Sequence, residues 1–320
     1  MRQQTLAMTT GFERYGKKTK RAQFLEEMEQ VVPWQKLCAL IEPYYPKAGN
    51  GRRPVGVERM LRVYFLQQWF NLSDPGVEEA LYDSVVMRQF AGIDLGREPV
   101  PDETTVCKFR HLLEEHGLGG EMLEAVNVHL QEKGVRITSG TIVDATIIHA
   151  PSSTKNREQK RDPQMHQTRK GNQWYFGMKA HVGVDSRTKI IHSAAATAAS
   201  VADMHALPHL LHGEETRVWG DQAYTGQTEV IQQCAPKALD CTHRRYRFKN
   251  RVDEAEQAKN RTKSKVRSKV EHVFQVLKLK FGFVKVRYRG LKKNANRLFA
   301  TCALVNLYML RRKLLPLAAL

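Results

Sequence analysis

Three carboxylates in this chain have surroundings that call for a partner. Asp144 interrupts the β-branched run from Thr141 to Ile148. An aspartate buried there needs a metal or cation, or else it is a structural residue bonded to backbone amides or to His149. Asp221 closes Arg217-Val-Trp-Gly-Asp221, which reads as a short strand before the turn-like segment 222–226. Strand ends are where α/β sheets carry functional groups, although a turn aspartate bonded to its own backbone has the same signature. Glu271 is the only acid in residues 257–320, where it stands among 17 lysines and arginines. At about 100° per residue, Arg267, Glu271 and Lys278 fall within roughly 40° of one another on a helix. A core stripe of Val266, Val270, Val273 and Leu277 runs beside them. A plain Arg267–Glu271 surface pair would contribute only a few tenths of a kcal/mol and leaves the absence of other acids unexplained. Three hard-oxygen ligands suit Mg²⁺ or Mn²⁺ rather than zinc. Two such ions about 3.5–4 Å apart activate a water or 3′-hydroxyl and stabilise the leaving oxygen of a phosphodiester. Arg267 and Lys278 would then hold phosphates.

The charge distribution points to the same class of substrate. Residues 241–320 carry 22 basic and 4 acidic residues, a net of +18, which is the charge of the entire 320-residue chain. So basic a segment is a footprint for polyanions, because each neutralised phosphate releases a counterion. Within it, the run from His243 to Arg251 interleaves Arg244, Arg245 and Arg247 with Tyr246 and Phe248. That pattern suits phosphates and unstacked bases, and favours a DNA contact over a solvated charge run.

The elements that must position these groups change character along the chain. Residues 1–23 read as a basic flexible arm without a secretory h-region. Residues 24–133 read as a helical DNA-binding or dimerisation domain. There, Val57–Leu72 is one helix, and Asp74 caps a second that runs to about Phe90. Asp102 caps a third over Thr104–His116, with Gly117 as its stop. On that third helix Val106, Phe109 and Leu113 form the apolar stripe, leaving Lys108, Arg110 and His111 exposed. This face is either a DNA-reading helix of helix-turn-helix type or a solvated surface. From 134 to 320 the pattern is mixed α/β. Segment 151–172 reads as a mobile loop, and Phe176–Val184 alternates as a strand that turns through Asp185–Thr188 into another at Ile190–Ile191. Ser200 and Asp203 form a capping box for a helix through Leu211. Segment 298–310 is too short to span a bilayer. Five scattered cysteines fit a reducing cytoplasm, and Cys234, Cys241 and His243 match no standard zinc spacing.

The residues also carry a resemblance. Thr141-Ile-Val-Asp144-Ala-Thr, Val218-Trp-Gly-Asp221-Gln-Ala-Tyr224 and Arg267-Ser-Lys-Val-Glu271, continuing to Lys278, resemble the three motifs of DDE transposases of bacterial insertion sequences, in the family named after insertion sequence 5. Trp174–Lys179, Val286–Asn294 and Ala303–Leu307 are similar too, so the likeness covers about residues 50–312. It implies a ribonuclease H-like catalytic fold with Asp144 on the first strand, Asp221 after the fourth and Glu271 on a late helix. It also implies catalysis with two Mg²⁺ (or Mn²⁺) held by Asp144, Asp221 and Glu271, nicking at terminal inverted repeats, and transfer of the 3′-OH into target DNA. The expected DNA contacts are Arg267, Lys278, Tyr224, Arg244, Arg245, Arg247, Lys108 and Arg110. Ser264 stands where the related signature has a tyrosine, so no tyrosine contact is carried over. Ala223 stands where glycine is usual, a small change. Synapsis of two ends implies a homodimer or larger assembly in the bacterial cytoplasm at the nucleoid, with no membrane role. The alternatives are a non-catalytic DNA-binding descendant and a nuclease without strand transfer, which a metal-dependent nicking assay and the presence or absence of joined products would separate.

Overall fold

The computed structural model describes residues 17–50, 53–249 and 251–315. Most of the expected basic arm, residues 1–16, lies outside them. Its last residues are not an arm: α1 (Lys20–Val31) starts within it, capped by the Thr19 hydroxyl, which accepts from Ala22 N–H at 3.1 Å. Leu25, Met28 and Val31 follow at i, i+3 and i+6, and their burial holds the helix in place.

Two compact units result, one of residues up to Ala125 together with those from Leu307 on, the other Val126–Asn306. Among the described residues the division falls at 125/126, and residues 307–315 group with the helical unit.

In the helical unit α2 (Trp34–Ile41), α3 (Val57–Phe70), α4 (Asp74–Asp83), α5 (Val85–Ala91), α6 (Glu103–Glu115) and α7 (Leu118–Glu132) follow α1. The single helix expected to reach Phe90 is two, because Ser84 adopts an extended conformation, ending α4 and capping α5. Ser73, not Asp74, caps α4: its hydroxyl accepts from Gly76 N–H at 3.0 Å. Asp74 is occupied elsewhere. It pairs with Arg110 at 3.0 Å while Arg110 also donates to Glu114 at 2.7 Å. Arg110 is consequently buried, which corrects its placement among the exposed DNA contacts. Carboxylates on α4 and α6 pair with its two terminal nitrogens and turn it into the core. Lys108 is exposed as expected, and Val106, Phe109 and Leu113 are buried. Asp102 caps α6 by accepting from Thr105 N–H at 2.7 Å, and Gly117 takes φ +67° at its end.

The second unit is built on one sheet. Strand β1 (Gly140–His149) pairs antiparallel with β3 (Gln173–Asp185), which pairs antiparallel with β4 (Ile191–Ala198) over residues 178–184. On the other side β5 (Arg217–Trp219) runs parallel to β1, and β6 (Leu239–Asp240) parallel to β5. Three antiparallel strands followed by two parallel to the first are the ribonuclease H-like order, so the expected fold is met. The expected mobile loop departs from this reading at its end. β2 (His166–Lys170) pairs with residues 173–177 and makes a hairpin with the start of β3. Alternation is masked there because both faces of the hairpin are largely exposed. With β2 counted, Asp221 follows the fifth strand rather than the fourth.

The expected helix through Leu211 is a 3-10 turn, Asp203–Leu210, with Pro208 inside it and no side-chain cap. Ser200 instead lies 2.9 Å from His166 Nδ1. The remaining helices are α8 (Thr228–Cys234), α9 (Glu254–Arg267), α10 (Lys269–Gln275) and α11 (Leu291–Leu314). Among the described residues no helix is long and apolar enough to cross a membrane, and all five cysteines are free thiols.

Candidate active site

Asp144 stands in the middle of β1, opposite Val182 of β3. Its Oδ1 accepts from the Ala145 N–H at 2.8 Å, and its Oδ2 from Arg267 Nη1 at 2.7 Å. The partners of Asp144 are therefore a guanidinium and one backbone amide, and not His149. Burial raises the Asp144 carboxyl to about 6; Arg267 and the Ala145 amide oppose the rise, and the nearby charges of Asp221 and Asp203 add to it. Asp221 follows β5, and its carboxylate caps a 3-10 turn (Gln222–Tyr224) by accepting from Ala223 N–H at 2.9 Å. The local-backbone reading of Asp221 is thus true of one oxygen.

Glu271 lies on α10, four residues after Arg267, whose Nη2 is 3.5 Å from Glu271 Oε1. One guanidinium so bridges an acid on β1 to an acid on the late helix. The helix that carries them is not uniform. It breaks at Ser268 between α9 and α10, and residues Val276–Lys280 form a π-helical turn. Lys278 sits in that turn, a type of irregularity often found at functional sites. The angle read from regular helical spacing does not hold for it; its ammonium reaches the Ile147 carbonyl at 2.8 Å. Burial, and then Lys170, lower its pKa.

Asp144, Asp221, Glu271, Arg267 and Lys278 line one cavity of about 630 Å³. The sheet and its hairpin supply the rest of the wall, including Arg169, Lys170 and Tyr175. Two further residues were missed by sequence reasoning. Asp203 also lines the cavity, and Lys179 pairs with it at 2.8 Å. Lys179 lay within the Trp174–Lys179 likeness, but nothing in the local pattern around Asp203 separated a cavity acid from a helix cap.

Tyr224 is not at the surface. It is fully buried against Val143, Ala206, Leu207 and Val218, which corrects its placement as a DNA contact. The ring packs under Gly220, where an added Cβ would come within 2.9 Å of Tyr224 Cδ2. Its hydroxyl has no hydrogen-bond partner among the described residues, and burial, then Asp203, Asp144 and Asp221, raise its pKa. Arg244, Arg245 and Arg247 are exposed, as a DNA contact requires. Arg247 opens a small hairpin, β7 (Arg247–Phe248) with β8 (Arg251–Val252), and Arg244 and Arg245 lie just before it, next to a second recess lined by His243, Tyr246, Arg261, Asp221 and Arg267. Buried Asn260 anchors it, donating to the Arg244 carbonyl at 2.7 Å.

The donor set suits a hard divalent cation. All candidate ligands are carboxylate oxygens, the charges of Asp221 and Asp203 disfavour ionised Asp144, and the cation now bridging Asp144 and Glu271 is a protein guanidinium. Cys234, Cys241 and His243 do not gather; among the described residues the nitrogen-containing cluster with metal-ligand spacing is His192, His212 and Glu215, which are absent from the lining of this cavity.

Residues 136–307 match the family described as Transposase DDE domain, and residues 13–112 match the Transposase domain (DUF772). Among solved structures, the chain is similar to a piggyBac transposase synaptic complex with hairpin DNA, determined by cryo-EM. That match has 10% identity and a TM-score of 0.46, covering 90% of this chain and 72% of the other. Enzymes of the matched family act on DNA and depend on a divalent metal. With more than half of its residues inside the first match, the chain belongs to the transposase DDE domain family and is a DNA transposase of an insertion sequence.

Proposed function

We propose that Asp144, Asp221 and Glu271 are the catalytic and metal-binding carboxylates of a transposase of the insertion sequence 5 type. In this reading the enzyme cuts DNA at its element's terminal inverted repeats and transfers the 3′-OH into target DNA. The observation that carries it is the Arg267 bridge, which ties Asp144 to Glu271 across 127 positions of sequence at the wall of a cavity that Asp221 also lines. Two Mg²⁺ or Mn²⁺, when bound, would activate the attacking oxygen and offset charge on the leaving one. The chain's own residues do the rest. Asp144, Asp221 and Glu271 offer anionic oxygens on three separate elements, and Arg267 bridges two of them. Once displaced from the acids, Arg267 is placed to take a DNA phosphate in bidentate fashion. Lys278, Lys170 and Arg169 line the same cavity and fit the backbone of a strand laid along it. Arg244, Arg245 and Arg247 extend that basic surface, while Lys108 offers one from the helical domain. Synapsis of two transposon ends calls for a homodimer or larger assembly.

The test uses a supercoiled plasmid carrying the gene with its flanking DNA. Wild-type protein nicks it at the element's ends in Mg²⁺, whereas Glu271→Gln binds the ends and leaves them intact. Nicking at those ends by purified Glu271→Gln would refute the assignment.

A further inference from the structure

A second cluster, outside the catalytic cavity, is built from different chemistry. Glu215 lies in the loop that leads into β5 and is completely buried. Its oxygens accept from the backbone N–H groups of His212 (2.7 Å) and Gly213 (2.8 Å) and from the Thr141 hydroxyl (3.1 Å). Among the described ion pairs no lysine or arginine reaches it; its one cationic-type neighbour is His212 Nε2, at 3.4 Å. A buried carboxylate without a full countercharge is costly. Beside it stand two imidazoles, His192 on β4 and His212, with ring centroids 4.9 Å apart and edge to face. One ligand atom from each of His192, His212 and Glu215 falls within 4.8 Å of the others.

We propose that His192, His212 and Glu215 form a structural binding site for a borderline transition-metal cation, zinc foremost, separate from the catalytic carboxylates. Two imidazole nitrogens and one carboxylate oxygen are a zinc donor set, and nitrogen donors select against Mg²⁺ and Ca²⁺. Tetrahedral bonds of about 2.0–2.1 Å place ligand atoms roughly 3.4 Å apart, so the cluster closes by an ångström or so.

The surroundings accommodate the necessary tautomer. The Thr141 hydroxyl donates to Glu215 and so accepts from His192 Nε2–H, at 3.1 Å. Loading moves that proton to Nδ1, where Ser193 Oγ at 2.9 Å is ready to accept it. A ligand histidine whose other nitrogen donates to a neighbouring oxygen is the usual outer arrangement. His212 is exposed, so its ring can turn, giving up the bond its Nδ1 accepts from Glu214 N–H at 3.2 Å. The bound ion would tie β4 and the N-terminal part of β1 to the loop that delivers β5. It would thereby brace the strand that carries Asp221.

The experiment uses the full-length chain, stripped with chelator, reloaded with zinc and dialysed, with metal content read by mass spectrometry and cobalt(II) substitution read by visible absorption. Wild-type protein should retain about one zinc per chain. His212→Asn, an exposed change that leaves the core untouched, should lose at least roughly tenfold in zinc affinity and the cobalt band. The double variant Asp144→Asn/Asp221→Asn should keep both, so the outcome does not depend on the catalytic assignment. The proposal is overturned if wild-type protein holds no zinc, if His212→Asn holds as much, or if zinc disappears with the two aspartates.

Discussion

Asp144→Asn offers a quantitative test of the proposed site, because the Asp144 charge is held at a cost to the fold. The side chain is only 14% exposed, and burial lifts its pKa from 3.8 to about 6 despite Arg267. A raised carboxyl pKa means that the folded state binds more protons than the unfolded chain between those values, so stability falls as pH rises through that window. The difference of about 2.2 units, at 1.36 kcal/mol each, corresponds to about 3 kcal/mol lost once the pH is well above 6. At pH 5 only about half of that has been lost, and below 4 almost none. Asparagine resembles the protonated acid in shape and carries no charge. In chelator at pH 8, Asp144→Asn should therefore be more stable than wild type by about 2–3 kcal/mol, and the gap should shrink to about half at pH 5. The assay is denaturant or thermal unfolding of both proteins across that range, followed by the same series in Mg²⁺. Added Mg²⁺ should stabilise wild type by mass action and have much less effect on the variant. If the variant is less stable at pH 8, or the gap does not change with pH, burial does not dominate Asp144 and the reasoning fails.

Two further outcomes follow from placements that the fold decided. Arg110→Ala should destabilise the protein by about 3–5 kcal/mol, because it strands Glu114 in the core and leaves half-buried Asp74 without its cation. Lys108→Ala, two residues away, should leave stability within about 0.5 kcal/mol but lower the salt slope of DNA binding by about one; calorimetry and a salt titration read the two effects apart. Trp174 is 65% exposed near the start of β3, opposite Arg169 in the β2–β3 hairpin, whose Arg169 and Lys170 line the candidate cavity. Trp174→Ala should keep its melting behaviour yet weaken binding of DNA with an unpaired end by about 1–3 kcal/mol, as loss of one stacked base does; unchanged affinity in a gel-shift titration would remove it from the interface.

The three acids of the candidate site stood out in the sequence because each breaks a local rule. Asp144 interrupts an apolar strand, Asp221 follows a short one, and Glu271 stands alone among bases. Caps and turns were legible for the same reason, being satisfied within three or four residues: Asp102 caps α6, and Asp185 accepts from the backbone of Arg187 and Thr188. The shifted elements were those set by competition between partners far apart in sequence. Asp74 reads as a cap until Arg110, 36 positions on, claims its carboxylate. Asp203 likewise reads as part of a capping box until Lys179 pairs with it. Tyr224 looks like a surface contact until the packing of β1 against β5 and the 3-10 turn buries it.

By itself, then, the sequence determined the residue types, the charge gradient and the periodicities, and with them the family and the mixed α/β class of the fold. Those depend on local chemistry, which a string of residues carries in full. Tertiary structure alone decided that Arg267 bridges Asp144 and Glu271, that Arg110 faces the core, and that His192, His212 and Glu215 converge. Each of these contacts joins segments brought together only when the sheet and helices close, and which partner a charged group finds depends on what that closure leaves within a few ångströms of it.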